Sequence, residues 1–509
     1  MTRISPTRAV SRARPALPDV GAMLVLVSAW AALTAGAALL LGALAPPTGA
    51  VGWIALGVTA TLVGLALLSG LRQVVIVAAA HSRWPRSAPV PPPIASDARV
   101  ALLYPTADDF RADVIQRSAA QTHPGTRTVV LDDSQQPEVR ARVEALAAEH
   151  GVEVHHRASR TGAKAGNLNA WLAAHADEVD YVVVLDADQE IGPEFVAAAL
   201  ARFAAHPEAA VVQGRIRSRG GDTSFARDFS GLFTRHADTK LAARAVLGLV
   251  DFFGRGAMLD VAALREVGGF PEVVMEDTAL TVELERRGRA VVAAPELVSL
   301  EDAPVDHTAF AVQFGKFAEG ALQLLVRSRG SLLDPRLTVL RRVDLALELL
   351  IPVLAAVVPL ALFAYAVVAA VTGAAAFPWQ LGLPLAVLSL VPLLPEALHR
   401  CRSRGLRAGL GFAVRASMLY ASVGVVAARA VVAVTLSGRA RFRITPKERA
   451  EATASVVVRR RALEVVVAVL ALAVAVLWAG RPEIATPFVV IAATALAFGW
   501  RDAVGERVG

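Results

Sequence analysis

The sequence predicts an α/β domain with a mainly parallel sheet, inserted between membrane-spanning helices. Three observations carry that prediction. Long apolar runs are confined to the two ends of the chain, short apolar strands alternate with helical stretches between about residues 99 and 215, and several of those strands end in acidic residues.

Hydrophobic residues make up 55% of the 509 residues and the mean hydropathy is +0.50, more than soluble domains need. The runs fall near residues 22–45, 51–80, 349–371, 379–398, 408–436, 463–479 and 484–499. A bilayer core needs roughly 20 apolar residues in helix, and most of the runs reach or approach that length. The first run is longer than the apolar region of a signal peptide and a second follows directly, so an uncleaved helical hairpin is expected. Lys and Arg are retained on the cytoplasmic side. Arg3, Arg8, Arg12 and Arg14 therefore place the N-terminus inside, and "HSRWPR" marks the return of the chain to the cytoplasm. "RLTVLRRVD" and "HRCRSRGLR" bracket a second hairpin that starts and ends inside. The run 408–436 carries Arg415 and Arg429 and is basic at both ends, which points to an interfacial or re-entrant path. A last hairpin, split by "AGRPEIAT", gives about six crossings of a cell membrane.

The expected organisation is a basic cytoplasmic N-terminus (1–21), two spans (22–80), a Pro-rich linker (81–98), a cytoplasmic domain (99–327), a helical hairpin (328–400), an interfacial or re-entrant segment with a loop (401–461), a second hairpin (462–500) and a tail (501–509). The net charge of +7 and pI of 10.1 do not indicate nucleic acid, because the basic residues cluster at membrane flanks, where they serve topology and anionic membrane lipids. Cys401 is the only cysteine, which excludes a disulfide framework and a Cys-based metal site.

In the middle of the chain "RVALLYP", "TRTVVLDD", "VEVHHR", "YVVVLDADQE" and "AAVVQGR" read as strands, and helical segments lie between most of them. Ligands of such sheets bind at the carboxyl ends of the strands. Three acid clusters lie there: Asp132 with Asp133, Asp186 with Asp188, and Glu276 with Asp277. An Asp before a helix is also an ordinary N-cap, and acids in a first helical turn are common. Asp186 and Asp188 are harder to account for that way. In extended chain, residues two apart face one side, so their carboxylates converge and repel unless a cation lies between them. Oxygen ligands suit Mg²⁺ or Mn²⁺, held by one or two carboxylates together with substrate phosphates. His155 and His156 face opposite sides of a strand and make a poor metal pair.

Taken in order, these residues resemble the family 2 glycosyltransferases, in particular the membrane-integrated, cellulose synthase-like group. "LDDS" is similar to the family's early nucleotide-binding aspartates, "KAGNLN" at Lys164–Asn169 to its Lys-Ala-Gly-Asn-Leu-Asn segment, and "DAD" to its metal-binding motif. "FFGRGAML" resembles the glycine loop before the catalytic acid, and "MEDTALTVELERRG" the Glu-Asp segment, with Met275 where Thr is common. "FRITPKE", Phe442–Glu448, looks like the loop that closes over the donor site in cellulose synthases.

The resemblance implies a nucleotide-sugar-binding domain of the glycosyltransferase A type and an inverting transfer from a nucleotide-diphosphate sugar. Its partners would be a glycan or lipid acceptor and an accessory export subunit. It implies Asp188 and Asp186 as metal ligands, with Asp186 also near the donor. Lys164 would supply a charge at the diphosphate, Gly166 close backbone approach and Asn167 a donor contact, with Asp132 and Asp133 at the base or ribose. Asp277 would be the base, supported by Glu276. In "VQFGKFAEG" the residues Gln313, Lys316 and Phe317 stand where polymerising members carry Gln-x-x-Arg-Trp, at i, i+3 and i+4 on one helical face. Lys lacks the planar fork of Arg and Phe is smaller than Trp, so a looser acceptor grip is expected. An amphipathic helix with Phe310, Phe314 and Phe317 towards lipid is the alternative. Other readings of the whole chain are a lipid-acceptor transferase that does not polymerise and an inactive sugar-nucleotide-binding scaffold.

Overall fold

The computed structural model describes residues 20–44, 46–47, 49–82, 91–92, 94–221, 223–371, 387–443, 445 and 454–504. The N-terminal arginines, half of the Pro-rich linker, the front of the 379–398 run, and Ile444 and Pro446–Glu448 of "FRITPKE" lie outside them.

The middle of the chain folds around one sheet of eight strands: β1 (Val100–Thr106), β2 (Thr126–Asp132), β3 (Glu153–His156), β4 (Tyr181–Val184), β5 (Glu190–Ile191), β6 (Ala209–Ser218), β7 (Ala257–Asp260) and β8 (Ala290–Glu301). Their order is β3-β2-β1-β4-β7-β6-β8-β5. The pairs β3-β2, β2-β1, β1-β4 and β6-β8 are parallel, whereas β7 runs against β4 and β6, and β5 against β8. The mainly parallel sheet expected is thus a mixed one. The unbroken apolar runs are explained by burial on both faces. Alternate residues sort cleanly: Ala101, Leu103, Val182 and Val184 join one core with Leu168 and Trp171. Val100, Leu102, Tyr104 and Val183 join the other, with Val143, Phe195 and Leu200. Burial at about 25 cal/mol per Å² of apolar surface makes this register hard to slip.

Apolar helices flank this domain on both sides in sequence. Four are long and apolar enough to cross a membrane: Gly49–His81, Val339–Val371, Leu406–Ser437 and Pro482–Asp502. Val27–Ala43 and Ala462–Leu477 are apolar but shorter. Against the six expected crossings, the described residues therefore supply four helices of spanning length. The run expected to be interfacial is among them, as two helices, Leu406–Ala421 and Gly424–Ser437, that meet at Ser422 and Val423. Part of the physical reason is that Arg415, which argued against a span, meets Asp228 at 3.2 Å. Small residues let the helices approach closely, as Ala366, Ala468, Ala471 and Ala475 do around Phe488. Outward, Trp53, Leu436 and Leu477 stay exposed, as a lipid-facing surface requires.

Two amphipathic helices join the halves. Ser224–Leu247 and His307–Arg327 pack Phe225, Phe229 and Phe310 against Leu419 and Val423.

Candidate active site

The carboxyl ends of β1, β2, β4 and β8 open into a cavity of about 480 Å³, closed on its other side by the helix His307–Arg327 and by Phe442 and Thr445. Eight acids line it, Asp109, Asp133, Asp186, Asp188, Glu276, Asp277, Glu301 and Asp302, against four bases, Arg160, Lys164, Arg255 and Lys316. That excess of negative charge would repel a phosphate-bearing ligand unless a cation came with it.

Asp186 and Asp188 do converge on the cavity, although not by strand alternation. β4 ends at Val184, and a turn closed by the Gln189 N–H donating to the Asp186 carbonyl (2.8 Å) carries both aspartates. The Tyr104 hydroxyl donates to the Gln189 carbonyl (3.1 Å) and Arg219 donates to the Asp188 carbonyl, which fixes that turn from below. Asp188 is 3% exposed and accepts from the Asp302 N–H at 3.2 Å.

Lys164 is not a surface lysine. It sits in the first turn of the helix Ala163–His175 and donates to Asp186 Oδ1 (2.5 Å) and to the Gly254 carbonyl (2.9 Å). Burial opposes its charge most strongly, but the carboxylates of Asp186 and Glu276 with the hydrogen bond to Asp186 together outweigh it and hold the Lys164 pKa above the usual lysine value. Arg255, which sequence reasoning passed over inside the glycine loop, grips Glu301 with two bonds (2.5 and 2.9 Å) and reaches Asp186 Oδ2 at 3.3 Å. Glu301 and Asp302 were also missed, yet "VSLED" at the end of β8 is another strand ending in paired acids, the signal used for the other clusters.

Asp277 lies in the first turn of the helix Glu276–Arg286 and accepts from the Thr278 N–H at 2.7 Å. Burial pushes its pKa up against the opposing Thr278 N–H and Lys164. Burial also pushes Glu276 up, to about 7, with Lys164 opposing and Asp277 reinforcing. Gly254, at φ 77°, runs past this carboxylate so closely that a Cβ there would stand 3.4 Å from Asp277 Oδ2.

Three expectations need correction. Asp132 does not line the cavity: adjacent strand residues point to opposite sides, and its Oδ1 is turned inward to the Ser134 N–H (2.9 Å) and the Thr106 hydroxyl (3.3 Å). Asp133 does line it, held by Arg157 through bonds of 2.9 and 2.6 Å. Gly166 is buried away from the cavity, where a Cβ would meet the Thr161 carbonyl at 2.1 Å, so its smallness serves helix–loop packing and not a diphosphate. The third is the lipid-facing alternative for the phenylalanines: Phe310 is 5% exposed in the aromatic cluster, and Phe317 lines the cavity. Asn167 lines the cavity while donating to the Leu131 carbonyl at 2.8 Å.

Gln313, Lys316 and Phe317 do share one face, and that face lines the cavity. Burial lowers the Lys316 pKa, and its Nζ stands 4.9 Å from the centre of the Phe442 ring. One turn on, the buried Glu319 accepts from the Arg441 N–H (2.9 Å) and Arg443 (2.7 Å), tying the described start of "FRITPKE" to this helix.

Among the described residues no three His, Cys, Asp or Glu side chains cluster tightly enough to cage an ion by themselves. Two convergent carboxylates in an acid-rich cavity instead fit a Mg²⁺ or Mn²⁺ that takes its remaining oxygens from a diphosphate and water.

A mixed α/β sheet with carboxylates gathered at its strand ends defines the class of fold and site. The comparisons point to a family: residues 181–393 match the family model described as Glycosyl transferase family group 2. The chain is 28% identical over 215 residues to glucomannan 4-beta-mannosyltransferase 2 of Arabidopsis thaliana, covering 40% of each chain. It is 29% identical over 242 residues to the UDP-forming cellulose synthase catalytic subunit of Xanthomonas axonopodis pv. citri, covering 43% of this chain and 31% of that one. It thus spans less than half the length of these relatives. Among solved structures, a mannosyltransferase from Pyrobaculum calidifontis in complex with GDP-Man and Mn²⁺ aligns at 22% identity and TM-score 0.47, over 71% of this chain and 96% of that one.

Proposed function

We propose that this chain is an inverting glycosyltransferase that moves a sugar from a nucleoside-diphosphate sugar to a growing glycan or other acceptor at the cytoplasmic face of a membrane. The observation that carries it is the meeting of Lys164, Asp186, Asp188 and Asp277 in one cavity.

In this reading Asp133 meets the nucleoside end of the donor, and Lys164 and Arg255 face the diphosphate. Asp186 and Asp188 would hold the Mg²⁺ or Mn²⁺. When bound, that ion supplies Lewis-acid stabilisation of the charge that grows on the departing diphosphate. The acceptor hydroxyl attacks the sugar C1, the bond from C1 to the diphosphate oxygen breaks, and the electron pair leaves with the nucleoside diphosphate. The acceptor proton passes to the Asp277 carboxylate, which such a step requires ionised and within hydrogen-bond reach. The glycan-forming activities named for the relatives support a polysaccharide product. A scaffold that only bound the donor would need no base, and Asp277 faces the cavity.

The deciding experiment supplies membranes carrying the chain with a panel of radiolabelled nucleotide sugars and Mg²⁺ or Mn²⁺. Transfer or hydrolysis of one sugar is expected; inertness with the whole panel would sink the proposal. In Asp188→Ala, donor affinity is expected to lose its dependence on the metal, and an unchanged metal titration would refute the clamp. For orientation, cysteine at Ser134, in a background lacking Cys401, should escape an impermeant thiol reagent in intact cells while cysteine at Glu483 reacts.

A further inference from the structure

A second charged cavity, of about 540 Å³, lies apart from the active site between the helices Ser224–Leu247 and Leu394–Arg404. Its wall carries Arg227, Arg400, Arg404, His399 and Ser403, with Asp228 and Glu396.

Arg400 is built in. Its side chain is 11% exposed, its Nε donates to Glu396 at 2.7 Å, and its guanidinium lies over the Phe412 ring at 4.4 Å. Gly231 makes the room, since a Cβ there would stand 2.7 Å from Arg400 Nη2. The two acids are already engaged from outside the cavity: Arg235 donates to Glu396 at 2.9 Å and Arg415 to Asp228 at 3.2 Å. Arg404 is exposed and makes no ion pair among the described residues, as do Arg402 and Arg407 beside it. Three arginines, 227, 400 and 404, and His399 thus line this cavity with two carboxylates, Asp228 and Glu396. Planar guanidinium forks suit phosphate oxygens.

The surroundings point to a lipid as the source of that phosphate. Leu394 and Leu398 of the helix Leu394–Arg404, and Leu406 and Leu410 of the helix Leu406–Ala421 that follows it, are 41%, 50%, 67% and 58% exposed. The adjoining clefts are lined by His81 and Arg501, so the cavity stands at the level where the spans Gly49–His81 and Pro482–Asp502 end. Apolar side chains directed outward next to arginines at a helix end are the arrangement that holds an anionic headgroup with its tails in the bilayer.

We propose that the cavity formed by Arg227, His399, Arg400, Ser403 and Arg404 binds the phosphate of an anionic membrane lipid at the face of the membrane that carries the catalytic domain. The lipid would brace the helix Ser224–Leu247 against Leu394–Arg404.

The test uses the full chain in nanodiscs of phosphatidylcholine with and without phosphatidylglycerol, with retained lipid read by native mass spectrometry. The chain is expected to retain phosphatidylglycerol selectively, and the double change Arg227→Gln with Arg404→Gln to weaken that retention roughly 30-fold. Arg402→Gln with Arg407→Gln removes the same charge outside the cavity and should weaken it far less. Melting curves of the variants exclude loss of fold as the cause, and Arg404→Lys should restore part of the binding. Equal loss from both pairs would make the effect a general surface field and overturn the site. Retention blocked by millimolar inorganic phosphate, or no preference for phosphatidylglycerol, would overturn a lipid as its occupant.

Discussion

Around Asp251 and around Asp277 the chain gathers the same residue types to opposite ends. At the junction with the membrane helices, Arg244 joins Asp251 (2.7 Å), Asp344 (3.0 Å) and Glu348, and Arg341 joins Asp251 (2.5 Å) and Glu285 (2.8 Å). Arg72 reaches Asp344 (2.7 Å) and Glu348 (2.8 Å), and Lys240 reaches Glu348 (2.6 Å). Four bases thus meet four acids. The candidate active-site cavity has eight acids to four bases, and it is open. Saturated charge holds elements in place; unbalanced charge facing a cavity is left for a ligand to complete. Asp251 links the two regions, because Phe252, Phe253 and Gly254 follow it directly, and Gly254 accepts from Lys164.

The largest effect should come from the open side. Asp277→Asn keeps size but removes the carboxylate proposed as the base, so transfer is expected to fall 10²- to 10⁴-fold, on the order of what a positioned base contributes. Donor affinity should stay near that of the natural chain, and near-normal transfer would end the assignment. Asp251→Asn probes the saturated side. It leaves Arg244 and Arg341 short of a partner, for which the expected cost is about 3–5 kcal/mol of stability, seen as a lower melting temperature. Were it to lose activity while melting normally, the division of labour between the two regions would be wrong.

The pH profile sharpens the contrast. Raised carboxylate pKa values mean that protons are still held where ordinary carboxylates are ionised, so activity should decline as pH falls through about 7, the value at Glu276, and not near 4. Glu276→Gln removes that group and should move the acid limb of kcat/KM downward. An acid limb unmoved by this change would assign it elsewhere.

The smallest effect concerns product length. Lys316 and Phe317 line the cavity where a planar fork and an indole would grip more firmly. Short products are expected from the natural chain and longer ones from Lys316→Arg with Phe317→Trp. Long polymer from the natural chain, unaltered by the double change, would refute the looser grip.

Much of the cavity was legible because acids just past a strand buried on both faces, such as Asp186, Asp188 and Asp133, stand at the edge of the sheet where ligands bind. The partners were not legible. Arg72 and Asp344 are 272 positions apart, and Arg255 with Glu301 46 apart, so nothing local marks them as pairs. Nor could local pattern decide which of Asp132 and Asp133 faces the ligand, since that depends on where β2 ends and the turn begins.

By itself the sequence determined the layered architecture and the cluster of acids, because apolar periodicity and strand-end chemistry are properties of neighbouring residues. Only the tertiary structure decided the turn that brings Asp186 and Asp188 together, the inward role of Asp132, the packing role of Gly166 and the two charge networks. Each of these depends on which side chain arrives from a distant element, and that is settled by the sheet order and helix packing, not by residues adjacent in the chain.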